Sequence, residues 1–159
     1  GGVMEAALRT AYELKTGHPL EHIDFEAVRG LEETKTASVP VDGNEIKVAV
    51  VHGLSNAREL LSYVSEERKN GRTPYHFIEV MACRGGCVGG GGQPIENSLY
   101  QRSLRGQGLY SEDKGLAIRK SHENPEIKAI YEQYLETPGG KRSHHMLHTS
   151  YMKRDAYAI

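Results

Sequence analysis

Cys83 and Cys87 are the only thiols in a chain of 159 residues. They stand in the run Met81-Ala82-Cys83-Arg84-Gly85-Gly86-Cys87-Val88-Gly89-Gly90-Gly91-Gly92-Gln93-Pro94. Six of the ten residues from Cys83 to Gly92 are glycine, so almost no side-chain bulk surrounds the sulfurs. That is how a chain approaches a bulky inorganic cluster. Glycine reaches positive φ without steric cost and lets backbone N–H groups converge into concave nests, which bind anions, including the sulfides of iron-sulfur clusters. The tract reads as a half-site. A four-iron cluster takes four thiolates and a structural zinc takes four ligands, so two cysteines close neither.

Other uses of the pair stay open on the residues alone. His144, His145 and His148 sit together near the C-terminus, and Cys83-x3-Cys87 with His144-x3-His148 meets the local spacing of a Cys2His2 zinc site. The 56 intervening residues greatly exceed the compact-finger spacing of about 12. A disulfide within the pair would close a very small loop with little entropic benefit. Two inert cysteines in an ordinary glycine loop are the bland alternative, since unpaired cysteine is usually a small buried hydrophobe.

The stretch Phe77-Ile78-Glu79-Val80-Met81-Ala82-Cys83-x-Gly85-Gly86-Cys87-x-Gly89-Gly90-Gly91-Gly92-Gln93-Pro94 resembles the third and last cluster-binding signature of the iron-only (FeFe) hydrogenases. The opening Gly1-Gly2-Val3-Met4-Glu5-Ala6-Ala7-Leu8-Arg9 is similar to the segment of that family that lines the cluster pocket and starts a helix. Ser121-His122-x-Asn124-Pro125, Tyr134-Leu135 and Leu147-His148-Thr149-x-Tyr151 resemble the C-terminal region of the same enzymes, a separate small subunit in some members. The resemblance covers essentially the whole chain. It implies that Cys83 binds an iron of a 4Fe-4S cubane. It implies that Cys87 binds a second iron and bridges to the two-iron subsite, the pair of clusters together forming the H-cluster. Met81 would line the pocket beside that subsite, which suits its soft thioether, although a methionine so close to a cysteine is also ordinary core. Gln93 and Pro94 are expected only to end the loop.

The departures carry information too. The family usually has proline where this chain has Arg84, and a fixed positive charge near a cluster favours its reduced form and raises its potential. The family's two earlier cysteine signatures, its proton-relaying cysteine and the lysine that holds a cyanide ligand are absent. The resemblance therefore implies the C-terminal fragment of a hydrogenase that catalyses reversible oxidation of H2, inactive alone and beginning in mid-motif. The implied partners are the remainder of the catalytic subunit and a redox partner such as ferredoxin or NAD(P)-linked subunits. Two rivals remain: a hydrogenase-like assembly or sensory protein that keeps the signature without turning over hydrogen, and a zinc-stabilised binding domain.

The net charge of −1 leaves no electrostatic footprint for nucleic acid or an anionic membrane. No apolar run approaches the ~18 residues of a membrane span, and no basic-then-apolar signal segment opens the chain. Sparse cysteine points to a reducing compartment, so a cytoplasmic location is expected, with a periplasmic one open by resemblance.

The elements that must position the thiols follow from patterning. Val3, Met4, Ala7, Leu8, Ala11 and Leu14 repeat at the helical period until Gly17 and Pro19, which predicts an amphipathic helix packed on a sheet. From Val28 to Val51 the pattern is extended, with a hairpin turn at Asp42-Gly43-Asn44 and a second strand apolar on both faces, hence central. Ser55 is the expected N-cap of a helix through Leu60, Leu61 and Val64 to Asn70-Gly71, and Tyr75 to Met81 reads as a strand. Helix between strands makes a βαβ unit, and ligands collect at the carboxyl ends of its strands, where Cys83 lies. A helix from Asn124, with Pro125 first, runs to Pro138-Gly139. Glu79, acidic within an apolar strand, is either a proton relay or an edge-facing or salt-bridged glutamate.

The expected fold is α/β: a partial mixed sheet with a βαβ unit and a hairpin, flanked by helices and followed by a mostly helical C-terminal belt. The expected division is a lobe of the catalytic domain over 1–94 and a small-subunit-like region over 95–159.

Overall fold

The computed structural model describes residues 2–22 and 24–153. Gly1, the first residue of the N-terminal resemblance, and the last six residues of the expected C-terminal region lie outside them. The chain divides into two compact units, at 1–119 and 120–159.

In the first unit, β1 (Thr34–Val41) and β2 (Asn44–His52) form an antiparallel hairpin. Asp42 and Gly43 both have positive φ, the two-residue turn whose twist matches that of the flanking strands. Helix α2 (Leu54–Lys69) then crosses over to β3 (Phe77–Met81), which pairs parallel to β2. The strand order is β1-β2-β3, so the strand that is apolar on both faces is central, as its pattern requires. Helix α1 (Gly2–Thr16) covers one face through Met4 and Leu8, which meet Val28, Val39, Val41, Val48 and Val50. Helix α2 covers the other through Ala57 and Leu60, against Ala49 and Val51. A long helix, α3 (Leu99–Gly115), closes the unit.

Several expected boundaries move. The buried stripe of α1 is Met4, Glu5, Leu8 and Arg9, while Val3 and Leu14 are exposed, because Glu5 and Arg9 satisfy each other across one turn. Val28 belongs to a short 3-10 turn, and β1 begins six residues later, at Thr34. Strand β3 starts at Phe77 rather than Tyr75. Ser55 does not cap α2: the N-cap is Gly53, whose φ of +85° reverses the chain directly out of β2. Of the expected apolar residues of α2, Leu60 is buried and Leu61 is half exposed.

The second unit is helical. Asn124 caps α4 (Pro125–Ile130) by accepting from the Glu126 N–H at 2.9 Å, with proline at the first helical position. The helix then widens into a π turn over Tyr131–Leu135 and stops at Glu136, where φ becomes positive, short of the expected Pro138. Helix α5 (Lys141–Leu147) folds back so that the buried Ser143 hydroxyl donates to the Thr137 carbonyl at 2.7 Å. His144 and His148 stack with ring centroids 4.2 Å apart.

Candidate functional site

Strand β3 delivers Met81 to the carboxyl edge of the sheet, and the cysteine loop starts there. The Gly53 N–H donates to the Met81 carbonyl (2.8 Å) and the His52 N–H to the Glu33 carbonyl (2.7 Å), so the strand ends are tied together. Beyond them Gly85 and Gly86 both take positive φ, and a 3-10 turn runs over Gly86–Gly89. Backbone bonds from Gly86 N–H to the Cys83 carbonyl (3.0 Å) and from Gly90 N–H to the Cys87 carbonyl (3.1 Å) give each cysteine its own small turn. Both thiols are free and exposed.

The glycines have separate tasks. A Cβ on Gly86 would lie 2.5 Å from Met81 Sδ, and one on Gly90 would lie 3.6 Å from Cys83 Sγ. Gly86 leaves room for the Met81 sulfur, and Gly90 packs in ordinary contact with the Cys83 sulfur. A Cβ on Gly89 would lie 2.5 Å from the Arg84 carbonyl and 2.9 Å from Arg102 Nε, so this position admits a neighbouring arginine instead. Gln93, expected only to end the loop, donates its side-chain amide to the Cys87 carbonyl at 3.2 Å.

Cys87, Met81, Gly86 and Val88 line a cavity of about 790 Å³, whose other walls come from the start of α1, the segment around Arg29 and one face of α3. Cys83 is not among its lining residues. Cys87 thus lines the cavity and Cys83 does not. Free soft thiols, side-chain-free space beside them and an adjoining cavity fit a thiolate-held cluster, with the remaining ligands supplied by other residues.

Two polar features beside the cavity escaped the sequence. His52, at the end of β2 and paired in register with Met81, is 1 % exposed, and neither ring nitrogen has a hydrogen-bond partner among the described residues. Burial, reinforced by the Lys35 charge, pushes its pKa down to about 4, so the ring is neutral. Its Nε2 faces the Gly86 turn, 3.9 Å from where a Cβ would stand. A histidine closing an apolar strand run was the available signal. The second feature is an ion network. Arg9 bonds Asp113 through both terminal nitrogens (2.9 Å each) and Glu5 at 2.8 Å. Arg29 bonds Glu5 and Asp24, and Arg119 bonds Asp24 (2.6 Å) and Asp113 (2.5 Å). Hydrogen bonds from Arg9 and Arg119 hold the Asp113 carboxyl below its ordinary range. The oxygens of Glu5, Asp24 and Asp113 converge, but three guanidinium groups already neutralise them.

Glu79 accepts the Met4 N–H at 3.1 Å, a carboxylate at the positive end of α1. Arg84 is exposed and pairs with Glu33 at 3.2 Å, which offsets part of its charge. Cys83 and Cys87 belong to the first compact unit, His144 and His148 to the second.

The family model for the iron-only hydrogenase large subunit, C-terminal domain, matches residues 1–91, more than half of the chain. The chain belongs to the iron-only hydrogenase family. The model of the iron hydrogenase small subunit matches residues 99–154. Among curated relatives, the chain is 54 % identical to the NADP-reducing hydrogenase subunit HndD of Solidesulfovibrio fructosivorans over 97 % of its own length and 26 % of the relative's. It is 44 % identical to iron hydrogenase 1 of Clostridium pasteurianum, over 96 % of this chain and 27 % of that one. The chain spans about a quarter of the length of these relatives. A solved structure of a variant of the [FeFe]-hydrogenase HydA1 from Chlamydomonas reinhardtii matches with a TM-score of 0.69 at 37 % identity, over 94 % of this chain and 44 % of that structure. The mixed sheet and its flanking helices are thus those of the hydrogenase C-terminal domain. Among the described residues, no helix is long and apolar enough to cross a membrane.

Proposed function

We propose that this chain is the C-terminal part of the catalytic unit of an FeFe hydrogenase, with residues 1–94 completing the cluster-binding lobe and 95–159 acting as the small-subunit-like region. Cys83 supplies one thiolate to a 4Fe-4S cubane. Cys87 would supply a second and would also hold the two-iron subsite. The observation that carries this reading is the asymmetry of the pair: Cys87 and Met81 line one cavity, and Cys83 does not. When bound, the two-iron subsite supplies the chemistry of H2 ⇌ 2H⁺ + 2e⁻.

The chain's own residues do quieter work. Met81 presents an apolar, polarisable wall, and the space left by Gly86 keeps it against the turn. The tied ends of β2 and β3 fix where the loop begins. His52 stays neutral behind that rim, so it adds no charge beside the thiols. The remainder of the catalytic subunit provides the other ligands, and a ferredoxin or an NAD(P)-linked subunit exchanges the electrons in a cytoplasmic setting. The fragment by itself evolves no hydrogen.

Cys87→Ser in the intact protein tests the assignment. A hard oxygen bridges soft irons poorly, so hydrogen evolution with reduced viologen falls to background and iron content drops. Full turnover by that variant removes Cys87 from the site. Iron-sulfur absorption in an intact protein that never turns over hydrogen would favour the assembly or sensory paralogue.

A further inference from the structure

The cysteine loop makes few bonds of its own. Its six glycines lose more conformational freedom on ordering than any other residue type, so something outside the loop must fix it. Two arginines of α3 are placed to do so. Arg102 Nη1 donates to the Arg84 carbonyl at 3.0 Å, and Arg105 Nη1 donates to the Val88 carbonyl at 3.0 Å, one bond on each side of Cys87. Asn97 joins them: its Nδ2 donates to the Gly89 carbonyl (2.9 Å), while its Oδ1 accepts from Arg102 Nε (3.0 Å) and Arg105 Nη1 (3.3 Å). Arg105 Nη2 also holds the Glu96 carbonyl at 2.5 Å and the Pro94 carbonyl at 3.4 Å.

The glycine pattern supports the same conclusion from the other side. Cβ atoms at Gly85 and Gly89 would lie 3.3 and 3.1 Å from Arg102 Cδ. Arg102 thus packs against both glycines, beside Leu31 at Gly85 and the Arg84 carbonyl at Gly89, whereas a Cβ on Gly86 would meet the Met81 sulfur. Helix α3 has no buried residue, so its sequence is not explained by packing in a hydrophobic core. It lies within the part of the chain matched by the small-subunit model, beyond the large-subunit match that ends at residue 91.

We propose that Arg102 and Arg105 are positioning residues that clamp the Cys83–Gly92 loop in its thiol-presenting shape, so that the small-subunit-like segment is required for firm retention of the cluster. The proposal rests on the hydrogenase reading for the cluster, though not for the clamp itself. A guanidinium is a rigid fork with five donors, and each arginine bonds several acceptors at once. Lysine keeps the charge and loses the fork, which separates clamping from simple electrostatics.

The test uses the full-length holoenzyme with Arg102→Gln/Arg105→Gln and, separately, Arg102→Lys/Arg105→Lys. Iron release to a chelator should accelerate roughly 10- to 100-fold in both, the range usual when outer partners of metal ligands are removed. The electron paramagnetic resonance spectrum of the reduced cubane should shift, while the thermal midpoint of the fold stays near that of the unaltered protein. Unchanged release with an unchanged spectrum, or full retention in the lysine pair, overturns the clamp. Should the glutamine pair fail to fold, Asn97→Ala carries the same expectation at smaller size, since it removes the residue joining the two forks. Alkylation of Cys83 and Cys87 by iodoacetamide in cluster-free protein gives a separate reading. A rate altered by the glutamine pair supports the clamp even if the unaltered protein holds no iron, a result that would refute the hydrogenase assignment alone.

Discussion

The two faces of the sheet are built from the same strands and differ in kind. On the α2 face, Ala49, Val51, Ile78, Ala57 and Leu60 form an apolar layer. On the α1 face the apolar layer of Val48, Val50, Met4 and Leu8 gives way toward the carboxyl edge to Lys35, His52, Glu79 and Met81. Buried polar groups are costly, so a face that accumulates them at one end is not optimised for stability there. The α2 face is apolar throughout this layer, and the α1 face turns polar at the edge where the cysteine loop begins.

The largest blow to that contrast is Arg9→Met in the intact protein. Arg9 is 5 % exposed and joins Glu5 to Asp113, and its removal takes one of two guanidinium partners from each, leaving Glu5 to Arg29 and Asp113 to Arg119. Loss of one partner of a buried pair costs about 3–5 kcal/mol, which urea denaturation would register; a loss under about 1 kcal/mol would make the network ornamental. Leu60→Ala probes the opposite face. It should cost about 2–4 kcal/mol through transfer and cavity terms while leaving cluster spectra unchanged. A shifted spectrum would mean the two faces communicate.

His52 sharpens the comparison through pH. Its folded pKa of about 4 lies below the ordinary 6.5, so between those values the unfolded chain binds a proton that the folded chain refuses. Stability contributed by the neutral ring is complete above pH 6.5, declines as pH falls and is spent near pH 4. At 1.36 kcal/mol per pKa unit the loss is about 3 kcal/mol. His52→Asn should flatten that window of the stability curve and leave the acid limb below it, which belongs to Asp24 and Asp113, whose carboxyls arginine bonds hold low. The smallest effect expected is that of Lys47→Ala, at the far end of the α2 face. Its ion pair with Glu45 spans 3.7 Å between exposed groups, so the change should stay within about 0.5 kcal/mol by thermal melting.

Strand alternation, the Asp42-Gly43 turn and the βαβ order were legible because each is a local pattern with one dominant physical cause. Cys83, Cys87 and Met81 stand out as candidates through glycine spacing and family resemblance. Helix α3 was not, although Ser98-x-x-Gln101 carries a capping-box pattern and the Ser98 hydroxyl does accept the Gln101 N–H at 3.2 Å. The stripe that α3 turns to its neighbours is polar, through Arg102, Arg105, Tyr110 and Asp113, so a search for apolar periodicity passes over it. The ion network was hidden for a related reason. Glu5 with Arg9, Asp24 with Arg29 and Asp113 with Arg119 are each near neighbours in sequence, but nothing local predicts that the three pairs will be brought together.

The knot that Gly53 makes with the last carbonyl of β3 sets a limit on motion. Rigidity carried by the sheet ends at Met81, and Ala82 is the first residue able to swing without unzipping a ladder bond. Opening the cysteine loop therefore means breaking its bonds to Asn97, Arg102 and Arg105 while the strands beneath it stay undisturbed.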